Sequence, residues 1–263
     1  MDLELQGKVA IVTGGSKGIG KAIALELAKE GVDVAVASRS KGPLEETAKE
    51  LSKETGRRII PIVADMTSWD DVQNMVETTV STLGKVDILV NNAAMVGGQV
   101  KGTLAEATEK DMVEDLDTKV VGYFRCMKAV VPHMQKQKWG RIINIGGVSA
   151  RQSTIYGMRN TAVVHMTKTF SDQLGADGIT LNVVHPGLTL SEGVETMLDS
   201  RAQSQGIGRD EIEKNITQNV AIKRAIDPKE LAWLVTYLSS PKAECITGEV
   251  IAAGGGAMGG VHQ

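Results

Sequence analysis

The regular alternation of short β-branched runs with longer amphipathic stretches is the feature that most constrains the fold of this chain. Seven such runs occur, at residues 8–13, 32–38, 59–64, 86–90, 141–145, 179–184 and 249–252. Between the first two runs, apolar residues recur at helical spacing, and Gly31 follows where a helix would end. Buried strands separated by helices are typical of parallel sheets. The pattern therefore predicts an α/β fold, a Rossmann-type doubly wound sheet of seven parallel strands with helices on both faces.

No Pro/Ser-rich linker, low-complexity tract or repeat interrupts this alternation, so residues 1–263 are predicted to form a single domain. The one irregular region is 188–225, which holds mostly polar, helix-forming residues between two predicted strands. We expect a lid or substrate loop at such a place in this kind of fold. A plain surface excursion is the alternative.

Composition excludes several classes of protein. The 263 residues carry a formal net charge of −3 with no block of Lys and Arg, so we expect neither nucleic-acid binding nor attachment to an anionic membrane. The two cysteines, Cys126 and Cys245, form no CxxC pair and have no His spacing around them, which predicts neither a disulfide framework nor a metal site. The amino terminus lacks the features of a signal peptide, and no apolar run approaches the ~18 residues needed to span a bilayer. A cytoplasmic protein acting on a small molecule is the expectation.

A glycine-rich turn follows the first predicted strand and opens directly into the first predicted helix. It reads TGGSKGIG over residues 13–20. Glycines at such a turn let the backbone approach a pyrophosphate, which then lies at the positive end of the helix. Plain strand-to-helix turns also use glycine, so the turn by itself leaves both interpretations open.

The spacing of these glycines resembles the TGxxxGIG fingerprint of the classical short-chain dehydrogenases/reductases. Further matches follow in the family's order: Asp65 after the third strand, NNAA at 91–94 after the fourth, Pro186-Gly187 after the sixth, and ITGE at 246–249 leading into the last. The resemblance covers residues 7–256. It implies an enzyme that binds a nicotinamide dinucleotide.

The resemblance also implies which residues hold that cofactor. Those expected at the pyrophosphate are Gly14, Ser16, Gly18, Ile19 and Gly20. Those expected along the adenine, its ribose and the central strand are Asp65, Met66, Asn91, Asn92, Ala93 and Ala94. Those expected at the nicotinamide are Pro186, Gly187 and Ser191.

Cofactor choice depends on the end of the second strand, where an acidic residue would bind both ribose hydroxyls and repel a 2′-phosphate. Ser38 occupies that position, followed by Arg39, Ser40 and Lys41, while Lys17 projects from the glycine turn. Cations and hydroxyl groups that converge at one place are well suited to bind a phosphate dianion. NADP(H) is therefore favoured over NAD(H). The alternative is that Arg39 is an ordinary solvated surface charge.

The catalytic positions depart from the family pattern. In the family a Tyr exchanges a proton with the reacting oxygen, a Lys four residues later favours its ionised form, a Ser orients the substrate and a helix Asn anchors a water relay. Counting back from the sixth strand places Tyr156 on the family's Tyr and Asn160 where the Lys is expected. Gly147 stands at the Ser position, with Ser149 two residues later. The segment from Gly147 to Tyr156 is about four residues shorter than usual.

Lys119 stands where the family has its helix Asn, so two of the four identities have exchanged places. A side chain of Lys119 that points inward would supply the missing cation from the neighbouring helix, which a phenol needs to act as a base near neutral pH. The candidate catalytic residues are thus Tyr156, Lys119, Asn160 and Ser149. The alternatives are that Lys119 extends to the surface in a decayed site, or that the site performs another chemistry.

These observations favour an NADP(H)-dependent oxidoreductase that interconverts a secondary alcohol and a ketone. A non-redox enzyme on the same scaffold, such as a dehydratase, epimerase or lyase, and a cofactor-binding protein without turnover are the alternatives, because fold alone does not determine chemistry. The resemblance further implies a homo-oligomer, most simply a tetramer, that pairs through the helices containing Lys119 and Tyr156 and through the last strand.

Overall fold

Seven parallel strands form one sheet in the computed structural model, which describes residues 1–95, 100, 103–151 and 154–256. The strands are β1 (Val9–Thr13), β2 (Asp33–Ser38), β3 (Ile59–Val63), β4 (Ile88–Asn91), β5 (Gly140–Ile145), β6 (Ile179–Pro186) and β7 (Val250–Ala253). Their spatial order is β3-β2-β1-β4-β5-β6-β7, and every neighbouring pair is parallel. The predicted fold class is confirmed. The strand ends lie within about two residues of the predicted ones.

Helices connect the strands. Their bounds are α1 (Gly18–Lys29), α2 (Lys41–Thr55), α3 (Trp69–Leu83), α4 (Glu109–Leu116), α5 (Gly122–Gln137), α6 (Ile155–Leu174), α7 (Glu192–Gln205), α8 (Arg209–Thr217) and α9 (Pro228–Leu238). A π-helical turn, Asp117–Val121, joins α4 to α5 without a break in the helical backbone. The last seven residues of the predicted domain, 257–263, lie outside the described part of the chain.

Apolar side chains cover both faces of the sheet, which is why the strands read as nearly continuous apolar runs. Along β2, Val34 and Val36 pack with α1, α2 and α9 on one face. The alternate residues Ala35 and Ala37 pack with α3 and α5 on the other face. Successive side chains of a strand point to opposite faces of the sheet. This alternation therefore shows that β2 lies in the middle layer of a three-layer structure, with helices on both sides.

Strand order reverses between β1 and β4, and a crevice outside the carboxyl ends of the strands is expected at such a point. Buried polar contacts hold the central strands in register there. Asn91 of β4 donates from Nδ2 to Asn144 Oδ1 of β5 at 2.9 Å, and Asn144 Nδ2 donates to Thr167 Oγ1 of α6 at 2.9 Å. These bonds tie two strands and a helix together directly beneath the crevice.

The region 188–225, expected to be irregular, folds into α7 and α8. Its two ends are fixed by backbone hydrogen bonds. Thr189 pairs with Ile226 in a parallel bridge, and the N–H groups of Ala221 and Ile222 donate to the carbonyls of Gly256 and Gly255 at 2.6 and 3.2 Å. A role for this region as a lid stays a prediction. None of the helices in the described ranges combines the length and apolarity needed to cross a membrane.

The packing of α1 against the end of β1 predicts a large difference between two glycines. A Cβ on Gly20, in α1, would lie 2.5 Å from Asn92 Nδ2 and closer still to the carbonyl oxygen of Gly14, whereas a Cβ on Gly42, in α2, meets nothing within 4 Å. We expect Gly20→Ala to lower the free energy of unfolding by about 1–3 kcal/mol or more, because backbone cannot move away cheaply. Gly42→Ala is expected to raise it by up to ~1 kcal/mol.

Urea unfolding followed by circular dichroism measures both changes. Equal effects of the two substitutions would contradict this account of the turn.

Candidate active site

The glycine turn leaves a backbone cradle at the start of α1. Gly14 and Gly18 have φ values of 65° and 56°. Residues with a Cβ rarely adopt this left-handed backbone conformation. Asn92 spans the gap to the turn, because its Nδ2 donates to the carbonyls of Thr13 and Gly14 at 3.0 and 3.1 Å. The hydroxyl of Thr13 accepts from the backbone N–H groups of Asn92 and Ala93. The ends of β1 and β4 are therefore bound to each other, and the first turn of α1 lies between them.

The end of β2 carries groups suited to an anion. Gly14 N–H donates to Ala37 O at 2.7 Å, so the glycine turn lies beside this strand end. The hydroxyl oxygen of Ser38 is buried and has no hydrogen-bond partner among the described residues. Lys17 and Arg39 are exposed and, in the part of the chain that the structure describes, neither has a partner. Ser40, also exposed, is the N-cap of α2.

The other residues expected at the cofactor differ in burial and in which of their polar groups already have hydrogen-bond partners. Asp65 Oδ1 accepts from both the N–H and the hydroxyl of Thr67. The side chain of Met66 is buried, with its sulfur 3.4 Å from that of Cys126. Asn91 Oδ1 is buried and has no partner among the described residues. Ala94 is exposed, while Ser16, Ile19, Pro186, Gly187 and Ser191 are half-buried around the same edge of the sheet.

Ser191 lies directly across from the glycine turn. A Cβ built on Gly18 would be 3.1 Å from Ser191 Cβ. The segment between β6 and α7 therefore forms the wall of the crevice opposite α1. Any molecule bound on the glycine turn would contact this wall.

Lys119 is buried, with 3% of its surface exposed, and it lies in the π-helical turn between α4 and α5. Such turns occur frequently at functional sites. The Nζ atom donates to Gly146 O at 2.9 Å and to Asn160 Oδ1 at 2.8 Å. Burial, with the nearby positive charge of Arg159, holds the pKa of Lys119 well below its usual value, although Asp115 opposes the shift. The alternative that Lys119 extends into solvent is wrong.

Asn160 passes this contact on to Ser149. With its Oδ1 bound to the ammonium group, its Nδ2 donates to Ser149 Oγ at 2.8 Å. A Cβ on Gly147 would be 3.1 Å from Asn160 Nδ2, so a side chain at the family's Ser position would crowd the amide. Glycine at 147 thus makes room for Asn160, and Ser149 receives its hydrogen bond. The structure brings Lys119, Asn160 and Ser149 together, and their catalytic roles stay predictions.

Tyr156 begins α6 and is half-buried. The guanidinium carbon of Arg159 lies 4.4 Å from the centre of its ring. Arg159 is 2% exposed, and its Nη1 donates to Asp115 Oδ1 at 2.6 Å. A buried arginine with a carboxylate partner is held in place, because either charge alone would be costly in this environment.

His185 closes the site from β6. Its side chain is buried, and its Nδ1 accepts from the backbone N–H of Gly147 at 2.9 Å. The neutral ring therefore carries its proton on Nε2, which has no partner among the described residues. Burial lowers the pKa of His185 to about 4, and the positive charges of Arg151 and Lys119 add to the shift.

Sequence reasoning did not identify two of these contacts. Asp115 lies four residues before Lys119, a helical spacing that could have indicated a shared face, yet its partner Arg159 is 44 residues away. The contact between His185 and Gly147 joins β6 to the segment after β5, and nothing in either local sequence predicts it.

The fold and this edge of the sheet define a dinucleotide-binding α/β enzyme. A family model described as enoyl-(acyl carrier protein) reductase matches residues 14–258. The chain therefore belongs to the classical short-chain dehydrogenase/reductase family and is an enzyme of that family, as the resemblance implied.

Three relatives show the range of this similarity. The 3-oxoacyl-[acyl-carrier-protein] reductase FabG of Staphylococcus epidermidis is 33% identical over 253 residues, which covers 95% of this chain and 98% of the relative. L-Sorbose reductase from Gluconobacter frateurii, solved with NADPH and L-sorbose, superposes with a TM-score of 0.94 at 29% identity and covers 99% and 100% of the two chains. NAD⁺-bound xylitol dehydrogenase superposes with a TM-score of 0.88 at 27% identity, over 96% and 100%.

The environment of His185 predicts a pH dependence of stability. Because the folded state holds this pKa below its unfolded value of 6.5, the unfolded chain binds more protons between pH 6.5 and about 4. The stabilising contribution is therefore present above pH 6.5 and is lost as the pH falls to about 4, a change of about 3 kcal/mol. We expect His185→Gln to flatten this part of the profile.

Urea unfolding at a series of pH values provides the measurement. His165→Gln, at an exposed position on α6, is the matched control and should leave the slope unchanged. A slope that is identical in wild type and His185→Gln would contradict the assignment.

Proposed function

We propose that this enzyme is an NADP(H)-dependent oxidoreductase that interconverts a secondary alcohol and a ketone. The observation that carries the proposal is the buried hydrogen-bonded series from Lys119 through Asn160 to Ser149, on the helix and loop that flank Tyr156. The activities of the relatives support it, since two of the three are reductases and one was solved with NADPH.

The residues present fit a dinucleotide. The positive-φ glycines 14 and 18 leave the start of α1 open to a pyrophosphate, and the Ser38 hydroxyl, Lys17 and Arg39 suit a 2′-phosphate. Pro186, Gly187 and Ser191 would hold the nicotinamide end. When bound, the cofactor would supply or accept the hydride.

Tyr156 would exchange a proton with the substrate oxygen, donating it when a ketone is reduced and accepting it when an alcohol is oxidised. Ser149 would orient that oxygen. Its Oγ already accepts a hydrogen bond from Asn160 Nδ2, so its own hydroxyl hydrogen is available to an acceptor such as the substrate carbonyl.

Lys119 would supply the positive charge that makes the phenol useful. Its lowered pKa means that the ammonium form is costly in this environment unless negative charge develops nearby. A phenolate on Tyr156 would be such a charge, and stabilisation between the two ions would be mutual. Asn160 accepts a hydrogen bond from the Lys119 ammonium group and holds the Ser149 hydroxyl in position. The exchanged Lys and Asn would therefore act on the site from two different helices.

A decayed site is poorly supported by this geometry. Burying a lysine costs several kcal/mol unless good partners compensate, and a mutation to an apolar residue would remove that cost. Lys119 instead has two well-placed acceptors, and Gly147 leaves room for one of them.

We also propose that the protein forms a homo-oligomer, most simply a tetramer, through α5 and α6. Phe124 and Met158, which are 40% and 53% exposed, lie on these two helices. Large exposed apolar side chains on neighbouring helices favour association with a second copy.

Cofactor preference provides one prediction. We expect NADPH to bind at least about ten times more tightly than NADH, because cations and a hydroxyl at the end of β2 favour the 2′-phosphate. Arg39→Ala should reduce this preference by removing about 1.5–3 kcal/mol of charge-assisted hydrogen bonding. Fluorescence titration of both cofactors measures it.

Lys136→Ala is the control for Arg39→Ala, since this exposed lysine lies in the last turn of α5, before β5 begins. It should leave the ratio of affinities unchanged. Equal affinities of the wild-type protein for the two cofactors would overturn the proposed specificity.

The exchanged pair provides another prediction. Lys119→Met should reduce kcat by about 10²–10⁴, the usual value of positioned acid–base assistance, because the phenolate loses its counter-ion. The double variant with Lys119→Asn and Asn160→Lys should keep activity, whereas each single change should lose it. Turnover with a panel of ketones and NADPH is the measurement.

Lys128→Met, at an exposed position on α5, is the matched control and should leave kcat unchanged. Full activity of Lys119→Met would refute the role of Lys119. Binding of NADPH without turnover of any ketone would refute the proposed reaction.

A further inference from the structure

Arg159 connects three separate elements around Tyr156. Its Nη1 donates to Asp115 Oδ1 of α4 at 2.6 Å, and its Nη2 donates to Met95 O, in the loop after β4, at 2.9 Å. Its planar guanidinium group lies against the Tyr156 ring, one helical turn earlier on α6. Arg159 has no role of its own in the reaction proposed above.

We propose that Arg159, held by Asp115, is a positioning residue that fixes the orientation of the Tyr156 ring for proton transfer. This inference rests on the proposed function, because it assigns Tyr156 the proton. The arginine acts through the ring it packs against.

The geometry explains why an orienting group is needed. Tyr156 is only half-buried at the first turn of its helix, so its ring is not enclosed on every side. A guanidinium group that two hydrogen bonds hold over one face of the ring restricts rotation about χ1 and χ2. Misplacement of a reacting group by about 1 Å can cost ~10²-fold in rate, so restricted rotation would appear in kcat.

A purely structural role explains the arrangement less well. The Nε–H of Arg159 is buried and finds no partner among the described residues, which is a cost to stability. A buried pair of this kind can often be replaced by apolar side chains without loss of stability. The contact between Arg159 and the Tyr156 ring is a function that apolar replacements of Arg159 and Asp115 would lose.

The charge of Arg159 also acts on its neighbours. The charged and titratable groups around it are Asp115 of α4, Lys119 of the π-helical turn and Tyr123 of α5. Arg159 lowers the pKa of Lys119, and it lowers that of Tyr123 against a larger opposing effect of burial. Orientation and charge are thus two separable contributions, and two substitutions distinguish them.

Arg159→Lys keeps the charge and can still pair with Asp115, but it loses the planar stack and the fork geometry. We expect kcat to fall by about 10- to 100-fold, with KM and the Kd for NADPH changed by less than about threefold. The pH at which turnover is half-maximal should stay near the wild-type value. Arg159→Met combined with Asp115→Leu removes both charges without leaving an unpaired buried carboxylate, and this double variant should also move that pH upward.

Arg141→Lys is the matched control. Arg141 is equally buried, with its guanidinium carbon 4.5 Å from the Trp139 ring, but it lies at the opposite edge of the sheet at the start of β5. Its replacement should lower the melting temperature without changing kcat or the pH profile. An Arg159→Lys enzyme that resembles Arg141→Lys in all three measurements would overturn the proposal.

A readout independent of turnover separates this proposal from the proposed function. Protein labelled with ¹³C at tyrosine Cζ gives three signals, and Tyr156→Phe identifies the one of interest. In the double variant this signal should change its chemical shift at a fixed pH, whereas Arg141→Lys should leave it in place. If the labelled ring responds but no ketone is reduced, the proposed function fails and the positioning contact stands. If neither the signal nor kcat changes, the positioning role is refuted.

Discussion

Burial of the Lys119 ammonium group is the constraint on which the arrangement of the site depends. A lysine removed from water needs acceptors, and the carbonyl of Gly146 and the side-chain oxygen of Asn160 provide them. Asn160 can approach because residue 147 has no side chain, and once its oxygen is committed its amide nitrogen turns toward Ser149. One buried cation thus accounts for the residue types at three other positions.

The backbone supports this arrangement from two directions. The π-helical turn carries Lys119 between two regular helices, and the polar contacts among Asn91, Asn144 and Thr167 hold β4, β5 and α6 in register below it. Arg159 and Asp115 add a buried ion pair beside the Tyr156 ring. The side of the proposed site that exchanges the proton therefore consists of two clusters, one around Lys119 and one around Arg159. The two clusters are linked, because each depends on the helices that carry the other.

The parts of the site that sequence could anticipate were those set by position in a repeating pattern. Gly14 and Gly18 follow from the turn between β1 and α1, and the pairing of Lys119 with Asn160 follows from the family resemblance, which aligns these two residues with the family's helix Asn and its Lys. The ion pair of Arg159 with Asp115 and the contact of His185 with Gly147 could not be found this way. Each joins residues that are distant in the chain and whose local sequence suits several environments.

The sequence by itself determined the order and type of the elements, because the periods of burial in strands and helices are written directly in the spacing of apolar residues. It also determined the glycine cradle, since few other residues adopt its backbone angles. Only the tertiary structure decided which polar groups are buried and with whom they pair. Desolvation depends on everything packed around a side chain, so the inward Lys119 and the fixed Arg159 are properties of the assembled helices and not of either segment alone.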